Sequence, residues 1–185
     1  QLDFTKTLLP ASFFDYSSVP GLVSADVLKL NQITAKSYMN LFAFVEEYII
    51  RAMTEHAKAF KEGEAGKKAF QRFTVEEEKH QQLFQRFCAA FDEGFGHDCR
   101  VLDFASQVAD AVLGNSELAV LLVTLHLEII TQEHYTSAVR DNTAIDPLVV
   151  RLLKSHWVEE AQHAQLDYLK TLEVMDKCDA GQKRE

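Results

Sequence analysis

Two stretches decide the reading: Glu76-Glu77-Glu78-Lys79-His80 and His156-Trp157-Val158-Glu159-Glu160-Ala161-Gln162-His163. Both lie inside long runs without Gly or Pro, whose apolar residues recur at helical spacing. At about 100° per residue, Glu77 and His80 fall on the side of Phe70, Phe73, Phe84 and Phe87, while Glu76 and Lys79 point elsewhere. His156, Glu160 and His163 likewise share a face with Val149, Leu152 and Leu153. Acids and imidazoles thus stand where a helix should be apolar.

Working outward, two further helices each offer one inward acid. From Ala25 to about Lys61 the apolar positions Leu41, Val45, Tyr48, Ile49, Ala52 and Met53 define a face that Glu46 borders, with Ser24 as the expected N-cap. Between about Glu117 and Val139, Glu128 aligns with Leu121, Leu125 and Tyr135. Asp146 followed by Pro147 marks the start of the last long helix, which runs to about Cys178. Gly63 and Gly66 separate the first two helices, and Gly94 and Gly96 close the second. A link of roughly two dozen residues follows, with a short helix expected from Leu102 to Leu113. Residues 1–23 are irregular, with Phe4, Leu8, Leu9, Phe13 and Phe14 expected to pack on the body, and the tail 179–185 is expected to fray. Four long helices in two hairpins joined by one long crossover give an all-α, ferritin-like four-helix bundle in a single domain, 1–185.

The chain has 185 residues, 47% hydrophobic and 25% charged, enough for one sizeable core. With 28 acidic against 19 basic side chains, net −9, it lacks the bulk attraction for phosphate backbones or anionic lipid, so neither nucleic acid nor membrane is an expected partner. Cys88, Cys99 and Cys178 are odd in number, widely spaced and without a CxxC pair. No signal-peptide pattern is evident. A reducing, cytoplasmic setting is the expectation.

A buried carboxylate costs several kcal/mol unless paired or metal-bound. Four in one bundle interior repel each other, and the helix faces as read carry no Lys or Arg. Two divalent cations supply four positive charges, and carboxylate plus imidazole suits iron, manganese or zinc. Glu-x-x-His has a mechanical reason: residues three apart on a helix reach one ion together. Depth agrees, since Glu128 lies about a dozen residues before the turn and Glu160 about thirteen after it, nearly level in an antiparallel hairpin at ~1.5 Å per residue. One such pair is commonplace on solvated helices. Two pairs and two lone inward acids form the pattern of a di-metal carboxylate bundle. His156 reads either as a direct ligand or as a core histidine behind the ligands. His56 reads as a core or pocket residue, His126 and His134 as surface or interface, and His97 as a loop residue.

The segment from His156 to His163 resembles the H-x-x-x-E-x-x-H signature of the p-aminobenzoate N-oxygenase family of di-iron enzymes, and Glu77-Glu78-Lys79-His80 resembles its upstream E-x-x-H. Glu46 and Glu128 fall where that family has its other two carboxylate ligands, and the likeness spans about residues 28–170. The resemblance implies a non-haem di-iron oxygenase. Glu46, Glu77, His80, Glu128, His156, Glu160 and His163 would ligate two Fe ions, with O2 as co-substrate. It would oxidise a small organic substrate, by N-oxygenation or hydroxylation, and draw on an external electron donor. A homodimer is compatible with this. The residues by themselves leave open a ferroxidase or other iron-handling protein, a Zn or Mn hydrolase, and a helical binding module without catalysis.

Overall fold

The computed structural model describes residues 1–101 and 104–182. Its elements are α1 (Ser24–Lys58), α2 (Ala65–Gly94), α3 (Ala105–Leu113), α4 (Glu117–His134), a five-residue π-helix (Tyr135–Val139) and α5 (Pro147–Lys177). Among the described residues no strand forms; Thr7 and Ile145 make one isolated parallel bridge. The all-helical reading holds. The expected start of the short helix at Leu102 lies outside the described residues, as does the end of the tail, 183–185.

α1 packs mainly on α2 and α4 on α5, with α3, carried on the link between the pairs, resting on α1. Local chemistry sets the boundaries. The Asp146 carboxylate accepts from the Leu148 N–H at 2.5 Å, so α5 begins at Pro147 as expected. Ser24 is a correction: it is the first helical residue, and Val23 holds the N-cap position. There the Asp26 carboxylate accepts from the Val23 N–H at 3.1 Å, so an acid one turn in caps α1 without the serine hydroxyl. The helix containing Glu128 also ends differently, its last five residues widening into the π-helix, a feature often found near functional sites.

The apolar interior has two main clusters. One holds Met39, Phe84, Phe87, Phe91, Val149 and Leu153, with Leu8 and Leu9 of the amino-terminal segment. The other holds Tyr48, Ile49, Met53, Phe70, Phe73 and Val120. Along α2 the order is Phe70 and Phe73, then Glu77 and His80, then Phe84 and Phe87, so a polar layer separates the clusters. Two apolar expectations fail: Phe14 and Leu41 are about half exposed, at 48% and 57%. Phe13 is the residue that packs, against Tyr38 and His134.

The amino-terminal segment is fastened by side chains. The buried Asn31 amide accepts from the N–H of Leu8 and Leu9, at 2.8 and 3.2 Å, and donates to the Leu9 carbonyl at 2.9 Å. Asp3 donates its N–H to Asp146 at 2.7 Å. Replacing Asn31 by Ala strands those buried backbone groups, and a destabilisation of roughly 1–3 kcal/mol is expected in urea unfolding. An unchanged midpoint would show that the segment contributes nothing to the stability of the bundle.

Candidate metal centre

The polar layer is built from three long helices and α4. Glu46 comes from α1, Glu77 and His80 from α2, Glu128 from α4, and His156, Glu160 and His163 from α5. All seven are buried, each 4% exposed or less. Two groups could each hold an ion: Glu46, His80, His156 and Glu160; and Glu77, His80, Glu160 and His163. Glu128 falls in neither group, yet its carboxyl lies within bonding reach of Glu160.

The distances show what the layer lacks. His163 Nδ1 is 2.7 Å from Glu77 Oε1 and 3.3 Å from Glu160 Oε2. His80 Nδ1 is 2.9 Å from Glu160 Oε1, and His156 Nε2 is 2.8 Å from that same oxygen. His156 Nε2 also lies 3.5 Å from Glu46 Oε1. Despite this proximity, among the described residues Glu46 Oε2, Glu77 Oε1, Glu128 Oε2, Glu160 Oε1 and His163 Nδ1 have no hydrogen-bond partner. Lone pairs crowd together without the angles a hydrogen bond needs. Donor atoms aimed at a shared central point behave this way, and the set fits divalent cations.

The outward nitrogens of two histidines are held crosswise. His163 Nε2 lies 3.0 Å from Glu76 Oε2, and His80 Nε2 lies 2.9 Å from Glu159 Oε2. Each acid is anchored in turn: Arg72 donates to Glu76 at 2.8 Å, and Lys79 donates to Glu159 at 2.8 and 2.9 Å. Each Glu-Glu-x-x-His run therefore gives its second acid to the centre and its first to the other run's histidine. This fixes the ring orientation and leaves Nδ1 facing inward. Glu76 is thus a correction, because it is buried and tied to His163 rather than pointing away. The expectation of inner faces without lysine is also revised. Lys36 and Lys170 are buried, Lys36 held by Asp92 and the Cys99 carbonyl, and Lys170 beside Glu173 at 3.4 Å and Glu117 at 3.9 Å.

Sequence reasoning passed over Asp167. It is fully buried one turn beyond His163, and neither carboxylate oxygen has a partner. Burial pushes its acid up to about 8. Its four-residue spacing from His163 was a readable signal. His126 is exposed, as expected. His134 instead accepts from or donates to the Tyr38 hydroxyl at 2.9 Å and lines a cavity beside the centre. His56 is half-buried against Phe70 and lines a separate pocket.

Protonation in the metal-free protein reports the same charge deficit. Burial, then the nearby Glu77, raises Glu46 well above the carboxylate range; burial, then Glu160, does so for Glu128. For Glu77 burial and the Glu160 charge act upward, but close contacts with Glu46, His163 and His80 win and hold it at about 2. Burial also acts upward on Glu160, and its pairing with His156 and its close contacts with Glu128 and His163 hold it well below. Burial disfavours charge on His80 and His163, yet their proximity to the Glu160 and Glu77 carboxylates raises them to about 9 and about 11. Raised glutamic acids and imidazoliums thus hold protons where ionised groups would repel one another, in the place where divalent cations would bring positive charge.

The raised groups bind protons more tightly folded than unfolded. Their stabilisation is complete below the unfolded values of 4.5 for the acids and 6.5 for the imidazoles. It is lost as pH rises, through about 9 and about 11 for the two histidines. Glu77 and Glu160 act oppositely, losing their contribution as pH falls below 4.5. The metal-free protein is expected to melt at falling temperature as pH rises from 6.5 to 9. Loading with zinc(II) at pH 7 in weak buffer is expected to release protons, those of the His80 and His163 imidazoles among them, and to tighten as pH rises. Zinc uptake without proton release would mean that the ion sits elsewhere.

A family model described as p-aminobenzoate N-oxygenase AurF matches residues 26–185. No curated protein and no solved structure matches the chain. Among the described residues no helix is long and apolar enough to cross a membrane. With the family model covering most of the chain, including both Glu-Glu-x-x-His runs, the protein belongs to the p-aminobenzoate N-oxygenase (AurF) family.

Proposed function

We propose that the chain is a non-haem di-iron oxygenase in which Glu46, Glu77, His80, Glu128, His156, Glu160 and His163 hold two iron ions in a ferritin-like four-helix arrangement. The observation that carries this reading is the set of unpartnered carboxylate oxygens and the His163 ring nitrogen crowded at the centre of the buried layer. Membership of an N-oxygenase family makes iron and O2 the fitting pair among the metals this donor set could take. When bound, the iron pair would supply redox chemistry that activates O2 for oxidation of a small organic substrate, with electrons from an external donor.

The protein's own part is positional. Glu160 contacts His80, His156 and His163 and, like His80, belongs to both candidate groups, so both would help to hold the ions. Phe73 stacks on the His163 ring with centroids 3.9 Å apart, and Phe42 and Phe84 meet the His156 ring edge-on at 5.1 and 5.0 Å. These rings fix the imidazoles and keep bulk water from the layer. Among the described residues His156 has no outer carboxylate comparable to Glu76 or Glu159; on that side the aromatic rings orient it, while Nε2 faces Glu160.

Anaerobic titration with Fe(II) is expected to saturate at two ions per chain, and admission of O2 should then consume O2 and change the visible absorbance. Glu77→Ala is expected to lose most of the bound iron. Glu47→Ala, altering a half-buried neighbour beside Gln81, should keep it. Equal iron content in the two variants would overturn the ligand assignment. Two bound irons inert towards O2 would overturn the oxygenase.

A further inference from the structure

A cavity of about 140 Å³ opens beside the polar layer between α1 and α4, over Glu128, His156 and Glu160. Its lining runs along α1 from Ile49 to Tyr38 and along α4 from Leu127 to His134, so Tyr38 and His134 stand last at one end. There the Tyr38 hydroxyl and His134 Nδ1 meet at 2.9 Å and form a partition. A second void of about 10 Å³ shares Tyr38, Phe42, Thr131, His134 and His156 with the cavity, and Phe13, Val139 and Leu153 line its far side. That is barely room for one water. The space behind the partition is filled by the Phe13 ring, whose centroid lies 5.6 Å from that of Tyr38 and 4.8 Å from that of His134.

We infer that Phe13 is the end wall of this cavity, backing the Tyr38–His134 partition, and that it sets the length of the molecule the cavity takes; that this molecule is a substrate rests on the di-iron reading. The wall is clamped on both sides. Upstream, Asn31 holds the N–H groups of Leu8 and Leu9, and the Gln32 amide donates to the Phe4 and Lys6 carbonyls at 2.9 and 2.8 Å. Downstream, the Tyr16 and Thr34 hydroxyls meet at 2.6 Å. Between the clamps Phe13 donates its N–H to the Pro10 carbonyl at 3.0 Å, and this turn carries its ring onto the partition. Asn31, Gln32 and Thr34 all belong to α1, so the wall is registered to the helix that bears Tyr38.

Phe13 is half-buried, with one side on the partition and the other towards solvent. Cutting it back to alanine takes the backing from Tyr38 and His134. The clamped backbone cannot collapse into the space left, so the void behind the partition joins the cavity. The next residue has no such place: Phe14 is 48% exposed, and its ring lies 6.5 Å from that of Tyr16. The family match begins at residue 26, so the wall comes from a part of the chain that the match does not describe. The length limit therefore belongs to this chain rather than to the matched region.

The test is calorimetric titration of straight-chain alcohols, from propanol to octanol, into the zinc(II)-loaded protein, where no turnover occurs. Affinity is expected to rise roughly four-fold per methylene until the chain meets the partition, and then to level off. In Phe13→Ala the rise should continue for about two further methylenes, so that the longest alcohols bind roughly ten-fold tighter than to the parent. Phe13→Tyr and Phe14→Ala should keep the parent's limit, and Ile130→Trp, which fills the cavity, should abolish binding. Melting temperature and zinc content certify the fold of each variant. The same limit in folded Phe13→Ala, an equal extension in Phe14→Ala, undiminished binding in folded Ile130→Trp, or no saturable binding and no levelling in the parent would each overturn the inference. A limit released by Phe13→Ala in a protein that takes up no zinc would uphold the wall and remove the metal centre.

Discussion

Four carboxyl groups from four helices share one dry layer, and they cannot all be ionised there without positive charge placed among them. Ionised and unpaired, each costs several kcal/mol against a total folding stability of about 5–15 kcal/mol. The metal-free chain meets the constraint with protons, on Glu46, Glu128, His80 and His163. Protons relieve the repulsion but do not satisfy the geometry, because five donor atoms of the layer remain without a partner. An ion of charge two accepts several lone pairs at once, and a proton accepts two. The donor set of the layer fits the former.

That geometry is defended from outside. The two Glu-Glu-x-x-His runs lie on α2 and α5, and each steadies the other's histidine through its leading acid. The anchors are half-exposed or exposed cations, Lys79 and Arg72, which as surface pairs contribute little to stability. Their value is directional. A histidine whose Nε2 is engaged by a carboxylate presents Nδ1 inward and becomes a better donor. The apolar clusters on either side act on the same rings by contact, Phe73 from one and Phe84 from the other.

Much of this is legible in the sequence because helical periodicity reports burial. An acid on the Phe70–Phe87 stripe of α2 has to face inward, and Glu77 does. Glu76 sits at the border of that rule. At about 100° from Glu77 it lies only about 20° past Phe87, and the His163 imidazole reaching across from α5 holds it at the edge of the buried layer. Val23 and Ser24 show the competition at a helix end, where Asp26 supplies the cap. The Tyr38–His134 pair joins residues 96 apart in the chain, and neither its partner nor the cavity it closes follows from local spacing. Asp167 differs: it lies on the inward stripe of α5, one turn beyond His163, and periodicity alone places it inside.

The location of the cavity follows from how the hairpins divide the work. α1 pairs with α2 and α4 with α5, and a cavity of about 140 Å³ opens between α1 and α4. Both Glu-x-x-His runs lie on the other two helices, α2 and α5, where the crosswise carboxylates and the stacked rings make the centre rigid. The two lone acids, Glu46 and Glu128, stand on the helices that flank the open seam. They lack the outer anchors that hold the histidines, and in the metal-free protein they are the two acids that stay protonated. Under the di-iron reading, the side of the layer on α2 and α5 is the braced one, and the side on α1 and α4 is the one that opens onto the cavity.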